Sequence, residues 1–323
     1  MKFLILHTTD PYLNLAVEEY LFRHENGEVF ALWQNEPTVV IGKNQNAYTE
    51  VDLDYLRAAG IHLARRITGG GAVYHDLGNV NYTFISKTGE NGIDFARFTA
   101  PITEALRHFG VPAVLSGRND LLVGEKKFSG NAQYSQGGRT LHHGTLLFDS
   151  DMNVLSRVLR PDEEKIRSKA VKSVRARVTN LAPLLPRQRT AGEFIAAIAD
   201  FVKARFSPEV VTAPQNEEIE RLRARNASGE WLFPARDLVT RYTFTKKTRY
   251  PFGSVELSLD MEGERIARAV IRGDFFGTAP IEELEAFLCG KTVAEALAAL
   301  ADDAPGAYIH GMTKDDLAAL FAR

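Results

Sequence analysis

A run of twelve residues, from Arg65 to Asp76, places three consecutive glycines between two arginines and a His-Asp pair. Glycine lacks a Cβ, so the N–H groups of such a loop can turn toward one point, and flanking guanidinium groups favour an anionic occupant. The run predicts either a phosphate or carboxylate site or a simple glycine turn between two strands. The glycines alone do not distinguish these two structures.

A pair of lysines could supply a further positive charge. The stretch from Ser116 to Gly130 places Lys126 and Lys127 between a hairpin turn and a second group of small residues. Successive side chains of a strand point to opposite faces, so one lysine at most can enter a pocket. We favour Lys127 for that position. The alternative is a surface hairpin with both lysines in solvent.

A third cluster is strongly basic. Residues 165–189 contain eight Lys or Arg residues and no Asp or Glu. Such a stretch is usually a solvated face, but it could also close over phosphates or dock an acidic partner. The sequence leaves these three roles open.

Several other chemistries lack their required residues. Gly290-Lys291-Thr292 has no glycine at the earlier position that a Walker A loop needs, and Ser129 is not in a nucleophile elbow. His142 and His143 lack the helical spacing of a zinc site. Cys289 is the single cysteine of the chain and lies far in sequence from every glycine or basic cluster, which argues against a thiol nucleophile or a thiolate metal cluster.

The elements that must position these residues follow from hydrophobic periodicity. The tri-glycine run is predicted to lie between strands at 61–67 and 80–85, and the first half is mixed α/β with antiparallel neighbours. Residues 153–206 are mostly helical, and a small α+β unit follows. We place the domain boundary between residues 246 and 247. Other predicted helices span 14–23, 95–109, 216–225, 281–288, 294–300 and 314–321, and other strands span 29–33, 38–42, 111–115, 120–123, 127–134, 140–148, 255–260 and 266–271.

Bulk composition is that of an ordinary globular protein. The chain has 323 residues, of which 45% are hydrophobic and 25% charged, with a formal net charge of −2. A net charge this close to zero does not indicate nucleic-acid binding. The longest apolar stretches are too short for a membrane span. The N-terminus has no pattern of a signal or transit peptide, so we expect a cytoplasmic protein.

Four motifs in this order resemble the lipoate-protein ligases. The early helix 14–19 and Trp33 fit the same family, and the resemblance covers essentially the whole chain. The motifs are residues 65–79, residues 117–120 together with 127–130, residues 142–147, and residues 173–181.

The resemblance implies an α+β fold. The catalytic domain would span residues 1–246 and would have a mixed, largely antiparallel sheet, like the catalytic domains of biotin ligases and class II aminoacyl-tRNA synthetases. A small α+β accessory domain would span residues 247–323. It also implies a two-step reaction. ATP first adenylates lipoate, and a lysine of a lipoyl carrier domain then takes the acyl group. Mg²⁺ would bind through the nucleotide, and the sequence does not identify its protein ligands.

The resemblance also assigns residues. Lys127 would be catalytic and would contact both the acyl carbonyl and the phosphate. The lipoate pocket would contain Trp33, Arg65, Thr68 and His143. The residues that bind ATP and substrate would be Arg66, Gly69, Gly70, Gly71, Ala72, Val73, Tyr74, His75, Asn119, Asp120, Lys127 and Arg175.

The implied partners are the apo lipoyl domains of 2-oxoacid dehydrogenase E2 subunits, the glycine-cleavage H protein, or both, with no nucleic acid and no membrane.

Three alternative functions remain. A lipoyltransferase would use only preformed lipoyl-AMP, although the accessory domain favours both steps. A cysteine-dependent acyltransferase would need a thiol in the catalytic domain, where the chain has none. A nucleic-acid-binding protein would have to use the basic stretch.

Overall fold

The computed structural model describes residues 1–87, 93–158, 177–238 and 241–322. Within these ranges the strands form three sheets, one with eight strands and two with three. None of the helices in the described ranges is long and apolar enough to cross a bilayer. The α+β fold class is confirmed.

Strands β1 to β11 build the first two sheets. They are β1 (Lys2–Ile5), β2 (Val29–Trp33), β3 (Thr38–Ile41), β4 (His62–Arg65), β5 (Val73–His75), β6 (Asn79–Lys87), β7 (Val114–Ser116), β8 (Asp120–Val123), β9 (Lys126–Gln136), β10 (Arg139–Leu147) and β11 (Glu209–Val210). The large sheet has the order β11-β1-β2-β6-β10-β9-β8-β7 and is antiparallel from β2 onward. The inner sheet has the order β4-β3-β5, so the tri-glycine loop connects its two outer strands.

Eight α-helices within the described ranges accompany these strands. They are α1 (Pro11–His24), α2 (Ala47–Glu50), α3 (Leu53–Ala59), α4 (Phe95–His108), α5 (Met152–Val158), α6 (Ala191–Phe206), α7 (Glu217–Asn226) and α8 (Gly229–Leu232). Helix α1 begins where the Asp10 side chain accepts hydrogen bonds from the backbone N–H groups of Tyr12 and Leu13. Gly60, with φ of +64°, ends α3 in the left-handed conformation that glycine adopts without strain.

The two faces of the large sheet differ, as alternation along β6 shows. Val80 and Tyr82 pack into an apolar core with Ile102 of α4 and Phe194 of α6. The intervening residues point to the opposite face, where α1 and the inner sheet lie, and three of them are polar although almost fully buried: Asn79, Asn81 and Thr83. A run of buried polar side chains on one face marks a site rather than a packing surface.

The C-terminal residues form a small unit with its own core. Its elements are β12 (Phe244–Tyr250), β13 (Gly253–Glu262), β14 (Arg265–Gly273), α9 (Ile281–Leu288), α10 (Val293–Ala299), α11 (Ala304–Tyr308) and α12 (Lys314–Phe321). The predicted boundary at 246/247 falls within β12, whose residues from Phe244 onward pair with β13. We therefore propose to place the domain boundary before Phe244.

Candidate active site

A cavity of about 580 Å³ lies between the large sheet, the inner sheet, the first turns of α1 and the small unit. Its lining divides into an apolar and a charged half. The apolar side chains belong mainly to the core cluster under α1 and include Leu15, Trp33, Val40 and Val73. The charged half contains Arg118, Asp120, Glu125, Lys127, Arg177, Arg249 and Asp274, and Arg66 lines the cavity as well. A cavity with this division suits a ligand that has one apolar end and one anionic end.

Strand register shows how the two halves connect. Trp33 of β2 lies opposite Asn81 of β6, and Asn81 lies opposite Thr145 of β10. The Thr145 hydroxyl accepts a hydrogen bond from the N–H of Gly130, which lies opposite Asp120. These five residues form a row across five neighbouring strands. Because adjacent strands lie about 4.8 Å apart, the row spans roughly 19 Å from the apolar to the charged half.

Lys127 lies at the charged end of this row. Its Nζ is 2.7 Å from Asp120 Oδ1, and its side chain, 36% exposed, reaches over Gly130. Lys126 is exposed on the opposite face. Alternation therefore places Lys127, the lysine that the sequence favours, in the cavity lining.

The tri-glycine loop uses its glycines in two ways. Gly71 lines the cavity together with Ala72, Val73, Tyr74 and His75. Gly69 and Gly70, expected at the ligand, instead pack against the small unit. Gly70, with φ of +88°, donates its N–H to the Phe275 carbonyl at 3.1 Å, and a Cβ on Gly69 would lie 2.2 Å from that same oxygen. Close backbone packing requires glycine at both positions.

Arg66 holds this loop in place from the cavity wall. Its guanidinium donates to the carbonyl oxygens of Gly69 at 2.7 Å and Gly71 at 2.8 Å, to that of Val40, and to the Thr68 hydroxyl. Burial lowers the pKa of Arg66 to about 10, and the charge of Glu18 opposes that shift. The side chain is a buried cation at the edge of the cavity and remains protonated at neutral pH.

Arg65 and Thr68 do not line the cavity, in contrast to the expectation for both. Arg65 points away and donates to the carbonyl oxygens of Gln45 and Leu232 and to Asp237 Oδ2. It anchors the inner sheet to α8 and the turn that follows, because neighbouring side chains of a strand face opposite ways. Thr68 is fully buried behind the wall, between Arg66 and His143.

A buried polar network supports the wall. His143 lines the cavity, and its Nδ1 donates to the Glu18 carboxylate at 2.9 Å while its Nε2 lies 2.8 Å from the Thr68 hydroxyl. Thr83 donates to Glu18 at 2.6 Å and accepts the Trp33 indole N–H at 2.9 Å. Glu18, which the sequence showed only as an acidic residue of a helix, connects both predicted pocket residues Trp33 and His143.

His75 and His142 are neutral histidines in different places. His75 lines the cavity, and burial lowers its pKa to about 3. His142, on the other face of β10 from His143, stacks on Phe98 of α4 with ring centroids 5.3 Å apart, and burial lowers its pKa well below the usual range. Only His143 of the adjacent pair lines the cavity, as alternation requires.

Acid is expected to destabilise the fold through these two histidines. Both bind a proton less readily when folded, so the unfolded chain takes up more protons below pH 6.5 and the free energy of unfolding falls as pH drops. Between pH 7.5 and 5.5 we expect each histidine to contribute a loss on the order of 1 kcal/mol. Urea unfolding at both pH values measures this. His142→Phe should remove the His142 contribution, on the order of 1 kcal/mol, from this pH dependence, and a dependence unchanged by that substitution would contradict the assignment.

The segment 117–120 joins the cavity to the small unit. Asn119 and Asn131 exchange hydrogen bonds between side-chain amides and backbone carbonyls, at 2.6 and 3.0 Å, which fixes the turn before Asp120. Arg118 donates to the backbone carbonyls of Phe252 and Asp274 and lies over the Phe276 ring at 4.5 Å. Burial lowers the pKa of Arg118.

The small unit contributes two cavity residues that sequence reasoning missed. Arg249 Nη1 lies 2.9 Å from Asp274 Oδ2, and both side chains line the charged half. Burial tends to raise the pKa of Asp274, but Arg249 and the Ser254 N–H outweigh it and lower that pKa. No local pattern marks these residues, because they reach the cavity only through domain packing.

The basic stretch lies partly within the described residues. Arg175 and the rest of 165–176 lie outside them, as do the first four residues of motif 173–181. Arg177 lines the cavity, Val178 bridges to Lys127, and the Thr179 N–H donates to the Lys127 carbonyl at 2.9 Å. Residues 177–179, the start of the described part of this stretch, therefore lie beside Lys127, the candidate catalytic residue.

Comparison with known proteins identifies the family. Residues 10–203 match the family model "Lipoyl protein ligase A/B catalytic domain", and residues 240–321 match "Bacterial lipoate protein ligase C-terminus". The chain belongs to the lipoate-protein ligase family. It is 37% identical over 320 residues to the lipoate-protein ligase LplJ of Bacillus subtilis, covering 95% of each chain, and 38% identical over 297 residues to lipoate–protein ligase 1 of Staphylococcus aureus, covering 90% of each.

Solved structures of this family have the same fold. LipL1 of P. falciparum in complex with lipoate superposes with a TM-score of 0.77 at 26% identity, over 93% of this chain and 95% of that one. The bipartite ligase of Thermoplasma acidophilum, described with its E2 lipoyl domain, gives 0.62 at 30% identity, over 75% and 98%. A lipoate-protein ligase A bound with ATP gives 0.59 at 29% identity, over 71% and 97%.

Proposed function

We propose that the chain is an ATP-dependent lipoate-protein ligase that makes lipoyl-AMP and transfers the lipoyl group to a carrier lysine. The cavity carries this proposal, because one row of residues joins an apolar half to a half that has four cationic side chains among the described residues. Family membership and relatives bound to lipoate and to ATP support it.

In the first step a carboxylate oxygen of lipoate attacks the α-phosphorus of ATP, and pyrophosphate leaves. Two anions must meet, so catalysis depends on cationic groups that stabilise charge at the phosphoryl centre. Lys127 would contact the acyl carbonyl and the α-phosphate, and Arg66 would hold the loop 71–75 against the substrate. Asn119 and Asp120 would fix the opposite wall.

In the second step the ε-amine of the carrier lysine attacks the acyl carbonyl. An amide bond forms, the bond to the phosphate oxygen breaks, and AMP leaves while the amine loses a proton. Lys127 would stabilise the developing negative charge on the carbonyl oxygen. E2 lipoyl domains are the first carriers to test, because a relative is described with one. The H protein and a cytoplasmic location stay predictions.

Mg²⁺ fits this cavity as a companion of the nucleotide. The described residues contain no group of three or more His, Cys, Asp or Glu side chains arranged to hold a metal. Mg²⁺ is commonly bound by substrate phosphates and one or two carboxylates, and Asp120 and Asp274 line the charged half. Mg²⁺ bound there would neutralise phosphate charge.

Intact-mass spectrometry of an apo lipoyl domain tests the proposal. The domain is incubated with this protein, Mg²⁺ and lipoate, with and without ATP, and in a third arm with synthetic lipoyl-AMP. Lipoylation that requires ATP establishes the ligase. Modification by lipoyl-AMP alone would show a transferase, and no modification of either an E2 domain or an H protein would overturn the proposal.

Arg249→Ala is expected to separate the two steps. ATP brings more negative charge into the charged half than the single phosphate of lipoyl-AMP does, so losing one cation should affect adenylation more. We expect about a tenfold lower rate of pyrophosphate release, on the scale of one charge-assisted hydrogen bond, with smaller loss in transfer from synthetic lipoyl-AMP. Arg265→Ala, an exposed arginine of the same small unit, is the control. Equal losses in both steps would contradict a role for Arg249 in adenylation.

A further inference from the structure

Two side-chain nitrogens of residues that line the cavity are buried and have no hydrogen-bond partner in the part of the chain that the structure describes. They are Nε2 of His75, a residue 3% exposed, and Nδ2 of Asn81, a residue 1% exposed. Both residues line the cavity near its apolar half, and the His75 and Trp33 ring centroids lie 6.0 Å apart. A buried polar group without a partner is costly, so such groups usually meet a ligand or an ordered water.

The surrounding hydrogen bonds place the free hydrogen of His75 on Nε2, and the side-chain pair of Asn79 and Asn81 leaves the Asn81 amide nitrogen free. Asn14 Nδ2 donates to Asn35 Oδ1 at 2.9 Å, which leaves the Asn35 amide nitrogen to donate to His75 Nδ1 at 3.0 Å. Nδ1 of His75 is thus an acceptor, and the neutral ring carries its hydrogen on Nε2. In the structure Asn81 Oδ1 accepts from Asn79 Nδ2 at 2.8 Å, and Asn81 Nδ2 and Asn79 Oδ1 are the two atoms of this pair without a partner.

The row across the large sheet indicates which part of the acyl group these donors would meet. Asn81 lies two strands from Gly130, over which the Lys127 amine reaches, and two strand spacings are roughly 10 Å. In lipoate five bonds of about 1.5 Å separate the carboxyl carbon from the ring, so its sulfurs lie roughly 8 Å from that carbon. With the carboxyl group at Lys127, the dithiolane ring reaches His75 and Asn81.

We infer that His75 and Asn81 donate hydrogen bonds to the ring sulfurs and make the cavity select a sulfur-bearing acyl group over a saturated one. The inference rests on the proposed function. Divalent sulfur is a weak acceptor, whereas a methylene or methyl group accepts nothing. A saturated chain would therefore leave both donors buried and unpaired, and a site built to hydrogen-bond a substrate rejects analogues that lack the acceptor.

Competing acids of matched shape test this inference. The full-length protein is assayed for ATP-dependent transfer to an apo lipoyl domain with lipoate, octanoate and 5-cyclopentylpentanoate, in which a cyclopentane ring replaces the dithiolane. We expect kcat/KM for lipoate to exceed that for the cyclopentyl acid by about three- to tenfold, mainly through KM, which is the size of one or two weak hydrogen bonds. Equal values for these two acids would overturn the inference without any variant.

Substitutions assign the effect to the two residues. His75→Phe and Asn81→Leu keep approximate shape but remove a donor, and each should reduce the ratio of lipoate to cyclopentyl acid to below half its wild-type value. Val73→Ala removes apolar wall and should lower kcat/KM for all three acids alike. A ratio that neither donor variant changes would overturn the assignment. Transfer of none of the acids by the wild-type protein would overturn the proposed function together with this inference.

Discussion

Lys127→Ala is expected to lower the rate of lipoyl-AMP formation by about 10²- to 10³-fold, equivalent to about 3–4 kcal/mol of transition-state stabilisation. The Lys127 amine is the cation at the end of the row that crosses the large sheet, and its stem covers Gly130. Among the described cations of this half, Arg118 is engaged with carbonyl groups of the small unit and Arg249 with Asp274, so neither of these two replaces it easily. Mass spectrometry of the acyl-adenylate and an assay of pyrophosphate release both measure the loss.

The fold should survive this substitution. Lys127 and Asp120 form an ion pair that is about one-third exposed, and such pairs contribute little to stability. Urea unfolding of Lys127→Ala should therefore resemble that of the wild-type protein. Lys126→Ala is the matched control, since Lys126 precedes it in the same strand but is exposed on the other face. Near wild-type adenylate formation by Lys127→Ala, or an equal loss in Lys126→Ala, would remove Lys127 from its catalytic role.

Local pattern was enough to predict most of the longer elements and one face of the site, but not the short strands β1, β5 and β11. Hydrophobic period and turn residues predicted β4 and β6 on either side of the tri-glycine loop but missed the three-residue β5 that directly follows it, and alternation favoured Lys127 over Lys126. The same alternation, applied to Arg65 and Arg66, separates them as well. The Arg66 side chain faces the cavity, whereas the Arg65 side chain points the opposite way and donates hydrogen bonds to backbone carbonyls. Motif resemblance assigned both arginines to the site because it does not encode side-chain direction.

Long-range partners could not be read from the sequence. Glu18 meets His143 across 125 positions, and Arg118 meets the carbonyl of Asp274 across 156. Such contacts depend on which helix covers the large sheet and on how the small unit docks. Gly69 and Gly70 illustrate the same limit, because a glycine that permits ligand approach and one that permits backbone packing look alike in sequence.

Glu18→Ala is expected to lower the free energy of unfolding by about 3–5 kcal/mol, the usual cost of removing one partner from a buried charged network. The substitution leaves the His143 Nδ1–H and the Thr83 hydroxyl without their acceptor. It also removes the carboxylate whose charge supports protonation of buried Arg66. Urea unfolding at pH 7.5 measures the loss in stability.

Activity should fall together with stability, because Arg66 holds the Gly69 and Gly71 carbonyls through the same network. We expect a roughly tenfold higher KM for ATP in Glu18→Ala at a temperature where the variant stays folded, on the scale of one charge-assisted hydrogen bond. Glu25→Ala is the matched control at the end of α1, since its partly exposed pair with Lys2 should affect neither property. A stable Glu18→Ala protein with unchanged KM would show that the cavity wall does not depend on this carboxylate, and Arg66 would then have to be held by its carbonyl contacts alone.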